Sequence, residues 1–562
     1  MGCGLAAGAG HARLALLIVA MLTCPAAAGG SLPDNDVLMK ALVDELERSK
    51  TLSLDDLPRP YFIQYTVVDQ VSFTIGGAYG GLVHTGRSRT RSLTSRVRVG
   101  SYALDNTNFG GRFGGGGRFG RLPIDDDYAA LRHGIWQVTD TDYKQAVEML
   151  TRKEAFLKEK TVEDRPDDFS DAPPLQLVEP SAEIAFDNDV WKENVRRLSA
   201  RFGDHPEIQD SSVNFSAGAV NRYIVNTEGT RLRKADTGVF VQMYAEVQAD
   251  DGMRLYDSLS YVGEQITELP PVADMLSDID DMCRKLVALA KAPIPEEYTG
   301  PVLFEPVAAG KVFAALLGDA VCARPTPLGG GRRWSGSESF EKKIGRRILP
   351  RSFQIVDDPG PRTLDGHVLA GAYRYDDEAV KARRVNIVED GVLKHLVAGR
   401  APTKKVVHTT GHARSGGFGD AEAAVGCLYI SDDNAVSADA LKQALIDAAR
   451  DEDLEFALRV ASIQTGGFGS LGAPIYAYKV YVRDGHEELI RGMDFLPVEV
   501  RSLKRMIAAG SEREVYNALG RVGSSYIAPA VVFEELELTK IEQEWDKRPI
   551  LKSPATRGVE DE

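Results

Sequence analysis

The chain has 562 residues, 43% hydrophobic and 27% charged, and a formal net charge of −15. That composition is globular, and the length is enough for two or more sizeable cores. The acidic balance, with no long basic run, argues against nucleic acid or an anionic membrane surface as the main partner.

The first 28 residues have the three parts of a secretory signal: Arg13, the apolar run 14–22, and Ala26-Ala27-Ala28 as a cleavage site before Gly29. The run is short for a bilayer span. The expectation is an exported chain, periplasmic or extracellular, cleaved after Ala28 and without stable membrane insertion. A lipid anchor at Cys24 is the weaker reading, because Thr23 and Pro25 flank it poorly. Cleavage leaves Cys283, Cys322 and Cys427, none in a Cys-x-x-Cys pair. They read as small buried hydrophobes, with one disulfide at most.

Residues 34–49 place apolar side chains at helical spacing behind an acidic start. Residues 59–100 alternate apolar and polar side chains and read as four strands parted at glycines. The glycine-rich run 110–120 reads as a solvated loop. Residues 128–160 read as one or two long helices, with Asp125-Asp126-Asp127 as an acidic cap rather than a calcium site. Helices are also expected over 186–202 and 270–291, with a second strand run over 212–263. The fold class is α+β, beginning with an N-terminal domain over 29–297 that sets helices on one face of a sheet.

From about residue 298 the chain turns glycine-rich and strand-like, with hairpin signals at Asp390-Gly391 and Asp484-Gly485. A short helix follows Phe304-Glu305-Pro306. Others are expected over 438–451, capped by Ser437, and over 498–505. This reads as a β-rich C-terminal domain over 298–540, followed by a polar tail over 541–562.

Residues 298–319, YTGPVLFEPVAAGKVFAALLGD, resemble the active-site helix of the TldD/PmbA metallopeptidases. Other stretches resemble the same family: Val225-Asn226-Thr227-Glu228-Gly229-Thr230, Asp376-Asp377-Glu378, Gly411-His412-Ala413-Arg414 and the closing run 525–538. The resemblance implies a two-domain fold that works as a dimer. In it TldD-like subunits carry zinc, PmbA-like subunits lack the ligands, and the pair degrades unfolded or flexible peptides in an enclosed cavity.

The catalytic pattern at the end of that helix is His-Glu-x-x-x-His. Here Ala314 and Ala315 stand at the first two positions and Asp319 at the last. A methyl group offers zinc no lone pair, and Ala315 cannot act as general base. The family's third ligand is a cysteine in a glycine-rich segment, and the matching run 516–525 (YNALGRVGSS) has none. The chain thus resembles the zinc-less members. No catalytic residue is assigned, and no cofactor, unless zinc comes from a partner subunit or a relocated site. The expected partners are a second copy or a TldD-like metal-bearing chain, with peptide or unfolded protein as substrate.

Two alternatives stay open. One is an active metallopeptidase with a relocated site built from His408 and His412 with Asp319 or Asp420. The other is a non-enzymatic exported protein that binds peptides or scaffolds an assembly. His486-Glu487 lacks the second histidine of a zinc motif, and 329–333 reads as a flap. The carboxylates of Asp357, Asp358, Asp376, Asp377 and Glu378 read as solvated turn groups. For peptide contact the candidates are His412, Arg414, Gly466, Gly467, Phe468 and Gly469, where glycine lets a backbone approach closely and strand edges offer pairing.

Overall fold

The computed structural model describes residues 36–543 except 54–56, 111–116, 330–339, 417–418, 465–470 and 521, and also 545–546 and 548–549. The signal segment with Cys24, most of the polar tail, and Gly466, Gly467, Phe468 and Gly469 lie outside the described residues.

The N-terminal sheet has seven strands: β1 Pro60–Ala78, β2 Gly81–Val99, β3 Arg118–Arg121, β4 Gln176–Val178, β5 Ile208–Asn226, β6 Arg231–Gln248 and β7 Arg254–Gly263. Their order is β3-β2-β1-β5-β6-β4, with β7 also on β6. Four helices cover it: α1 Val37–Ser49, α2 Tyr128–Glu159, α3 Asn188–Arg201 and α4 Val272–Ala290.

Period-2 alternation decides which side they cover. Ile63, Tyr65, Val67, Tyr223 and Val225 pack with Leu42 of α1 and Leu131 and Ile135 of α2. Phe215, Val241 and Met243 pack with Leu198 of α3 and Ile279 and Leu286 of α4. All the strand positions are odd-numbered, and the ladder pairs odd with odd. Both helix pairs therefore share one face, as the sequence pattern suggested.

Where four strands were expected over 59–100 there are two of 19 residues each. Gly76 and Gly77 stay in the ladder at a register shift. The turn comes instead at Tyr79-Gly80, both at positive φ. Residues 81–90 of β2 are mostly exposed. Among the described residues no strand pairs with their outer edge, since β3 begins its pairing at Ser92. The long helix is single, and Asp127 caps it by accepting from the Ala130 N–H at 2.7 Å.

The C-terminal sheet has eleven strands: β8 Glu297–Phe304, β9 Phe353–Asp357, β10 Val385–Glu389, β11 Val392–Leu393, β12 Cys427–Asp432, β13 Phe456–Ile463, β14 Pro474–Tyr481, β15 Glu487–Ile490, β16 Met493–Phe495, β17 Met506–Leu519 and β18 Gly523–Lys540. The order is β11-β10-β9-β12-β18-β8-β13-β14-β15, with β16 and β17 on β18. Helix α5, Pro306–Leu317, starts with proline in its first turn, where a missing N–H costs nothing. Helix α6, Ala438–Asp451, is capped by the Ser437 side chain. The helix expected over 498–505 is a 3-10 turn over Val500–Arg505. Cys283, Cys322 and Cys427 are free and buried.

The even-numbered face of the N-terminal sheet meets the second domain. Ile224 and Leu232 pack with Ala379, and Arg222 and Lys234 reach Asp377 at 3.2 and 2.9 Å.

Candidate functional site

Helix α5 lies unusually close to the β17–β18 hairpin because one stripe of it is small. Gly310, Ala314 and Gly318 recur every fourth position and share a face. A Cβ on Gly310 would stand 2.9 Å from the Tyr516 Cβ, and one on Gly318 would stand 2.6 Å from the Tyr526 Oη. The two tyrosine rings stack with centroids 6.2 Å apart. The fold thus brings the end of α5 against the run 516–525, the two segments that carry ligands in the family's catalytic pattern.

The donors at that corner do not make a metal site. Ala314 and Ala315 contribute methyl groups. Asp319 is exposed and paired with Arg324 at 3.1 Å, and Arg324 also donates to the Ala423 carbonyl at 2.7 Å. Burial pushes the Tyr526 phenol far above its usual range, so it does not supply an anionic oxygen. Among the described residues no group of three His, Cys, Asp or Glu side chains is placed to hold a metal ion. The residues present do not fit zinc.

The relocated site is corrected on geometry. His408 is exposed, whereas His412 is wholly buried. The His412 Nδ1 lies 3.0 Å from the Thr410 carbonyl, and its Nε2 lies 3.5 Å from the Asp357 Oδ1. Asp420 instead accepts from the Arg96 Nε at 2.8 Å. The spacing of two histidines four apart places them together only on a helix, and this segment is not one. Burial also removes His412 as a direct peptide contact. Arg414 is half-buried, with its guanidinium 4.2 Å over the Tyr373 ring.

The acidic groups are not solvated either, apart from the half-buried Asp358. Asp357, Asp376, Asp377 and Glu378 are buried. Asp357 accepts from the Gly426 and Cys427 N–H groups at 2.9 and 3.0 Å. Asp376 accepts from Glu378, Val380 and Ala413 N–H groups. Burial, then the charge of Glu378, pushes Asp376 up to about 7. For Asp377 burial acts upward too, but Arg222, Lys234 and Arg414 outweigh it and hold the carboxyl well below its usual range. These groups fasten loops and domains together.

The Val225–Thr230 motif has the same use. Asn226 Oδ1 accepts from the Glu228 and Thr230 N–H groups, and Gly229 sits at φ 101° to close the turn. That presents Glu228 to the second domain, where its Oε1 accepts from Arg400 Nη2 at 2.6 Å; Tyr102 Oη of its own domain donates to the same oxygen at 2.7 Å.

A cleft of 990 Å³ opens between β6–β7 of the first domain and α5–β17 of the second. Gln242, Ser258, Ser260 and Tyr261 line one side; Val307, Lys311, Tyr516 and Asn517 line the other. Lys311 escaped notice in the sequence. Its signal was there: it is the sole charged residue within the helix VAAGKVFAALL.

Residues 296–540 match the model of the PmbA/TldA metallopeptidase C-terminal domain. The chain belongs to the TldD/PmbA family. A metalloprotease of Methanothermobacter thermautotrophicus is 29% identical over 198 residues, which cover 34% of this chain and 39% of that protein. One from Archaeoglobus fulgidus is 37% identical over 82 residues, covering 15% and 18%. The chain thus spans well under half the length of either curated relative. In solved structures, TldE from Thermococcus kodakarensis superposes with a TM-score of 0.56 at 12% identity, covering 89% of this TldD/PmbA member and 100% of that chain. At such identity the likeness speaks for the fold, which is the two-domain α+β arrangement expected.

Proposed function

We propose that this chain is a zinc-less member of the TldD/PmbA family, which binds peptide and pairs with a metal-bearing TldD-like chain in proteolysis. The observation that carries this reading is the corner between α5 and the β17–β18 hairpin. Two methyl groups, an Asp319–Arg324 ion pair and two stacked tyrosines stand where the catalytic pattern needs imidazole, carboxylate and thiolate. The cleft beside α5 supports a role in holding substrate, because its walls come from both domains and mix apolar with polar groups. The sequence of residues 1–28 supports export of the chain.

The test is to purify residues 29–562, measure bound zinc, and assay cleavage of an unstructured peptide alone and mixed with TldD-like chains. Activity that appears only in a mixture, with zinc in the partner alone, is the expected result. Stoichiometric zinc in this chain, or no gain with any such partner, overturns the pairing.

A further inference from the structure

The cleft is lined by one ammonium, Lys311, and one carboxylate, Glu268, which accepts from the Glu264 and Gln265 N–H groups. Lys311 is the one lysine or arginine among its lining residues, and it stands beside Val307 on a stripe that reaches Ala315 one turn further on. Its Nζ donates to the Ile463 carbonyl at 2.6 Å. Among the described residues no carboxylate lies within ion-pair distance of it. Asp257 on β7 acts on it only from further away, and is itself engaged by the Tyr476 hydroxyl at 2.9 Å. Burial makes the ammonium less basic than a free lysine, with Asp257 offsetting part of that. An ammonium has three donors. One is spent on a neutral carbonyl, the Tyr516 ring centroid lies 5.7 Å from the ammonium, and a half-buried charge with no carboxylate partner is costly.

We propose that Lys311 is the carboxylate-recognition point of this cleft. The chain would then select peptides by a carboxylate, either the chain terminus or an acidic side chain, seated one helical turn from Ala315. This rests on the peptide-binding reading above and adds the ligand group. An incoming carboxylate completes the ion pair that the fold leaves unmade, and burial strengthens the charge-assisted bond. The peptide backbone beside it meets the amide and hydroxyl groups of Gln242, Ser258 and Ser260.

The test uses the full mature chain and one unstructured octapeptide in three forms: free C-terminus, C-terminal amide, and C-terminal amide with one internal Glu. Each is titrated into the wild type, Lys311→Met and Lys311→Arg. Loss of about tenfold or more in affinity on amidation is expected in the wild type. That difference should vanish in Lys311→Met and persist in Lys311→Arg, which keeps the charge. Recovery by the internal Glu assigns the carboxylate to a side chain; its absence assigns the terminus. Equal binding of all forms to the wild type overturns the role of Lys311 while leaving peptide binding intact. So does a loss on amidation that persists unchanged in Lys311→Met. Binding of no form to any chain overturns the peptide reading itself and the Lys311 assignment with it.

Discussion

Glu228 and Arg400 meet across the boundary between the two domains, with Arg400 Nη2 donating to Glu228 Oε1 at 2.6 Å. Arg400 is wholly buried, donates also to the Ser170 carbonyl, and lies 4.1 Å from the Phe169 ring centroid. Removing one member of such a pair leaves a buried charge uncompensated, at a cost of about 3–5 kcal/mol. Glu228→Ala should therefore destabilise the chain by roughly that amount. Urea denaturation followed by tryptophan fluorescence reads it. A change below about 1 kcal/mol would mean the pair is no more than a surface ion pair.

Restoring the lost ligands on the helix should not restore the enzyme. The triple variant A314H/A315E/D319H supplies the helix pattern but no cysteine, and the imidazole at 314 must share space with Tyr516 and Tyr526. We expect no stoichiometric zinc by elemental analysis and no chelator-sensitive peptide cleavage. Tight zinc binding by this variant would show that the hairpin yields readily.

His412→Ala should lower stability by about 2–3 kcal/mol, because it empties a buried site between Tyr373 and Asp357. Metal content should not change. A fall in bound metal without loss of thermal stability would revive the histidine as a ligand.

Asp142 on α2 is buried, has no ion-pair partner among the described residues, and accepts from the Val97 N–H at 2.7 Å and the Ser95 hydroxyl at 3.2 Å. Burial pushes its carboxyl up to about 8, above the unfolded value of about 4. Between these values the folded state holds the extra proton, so stability from this group is full below about 4 and is lost as pH rises through about 8. Asp142→Asn should flatten that decline and leave the chain more stable than wild type at alkaline pH, by on the order of a kcal/mol or more. Thermal melts from pH 5 to 9 measure it. Parallel pH profiles for the two proteins would show the carboxyl is ionised when folded.

What the sequence disclosed depended on how local each signal was. Helix α6 was readable from Ser437 and a clean apolar stripe, and α5 from Pro306 and its family pattern. The Asp376-Asp377-Glu378 run misled, because three acids in a turn look solvated. The bases that bury Asp377, Arg222 and Lys234, lie on strands of the other domain. The 19-residue strands were split in reading because Gly76 and Gly77 resemble a turn, yet β5 pairs across both and holds them in the sheet. Lys311 stands out in the sequence as a lone charge on an apolar helix, but its meaning as a site comes from the opposing β6–β7 wall.

The ten open residues of β2 bear on how this chain behaves when concentrated. An unpaired strand edge is a template on which a second copy can continue the sheet. Here the exposed stretch carries Arg87 and Arg89 at alternate positions, with Arg91 just beyond them. Arg89 and Arg91 are anchored by Asp69, so their placement is fixed. Two copies meeting edge to edge in antiparallel register would set guanidinium groups against one another across a strand spacing of about 5 Å. The Asp69 and Asp126 carboxylates offset part of that repulsion, and what remains, chiefly at Arg87, weighs against edge-to-edge pairing of two copies.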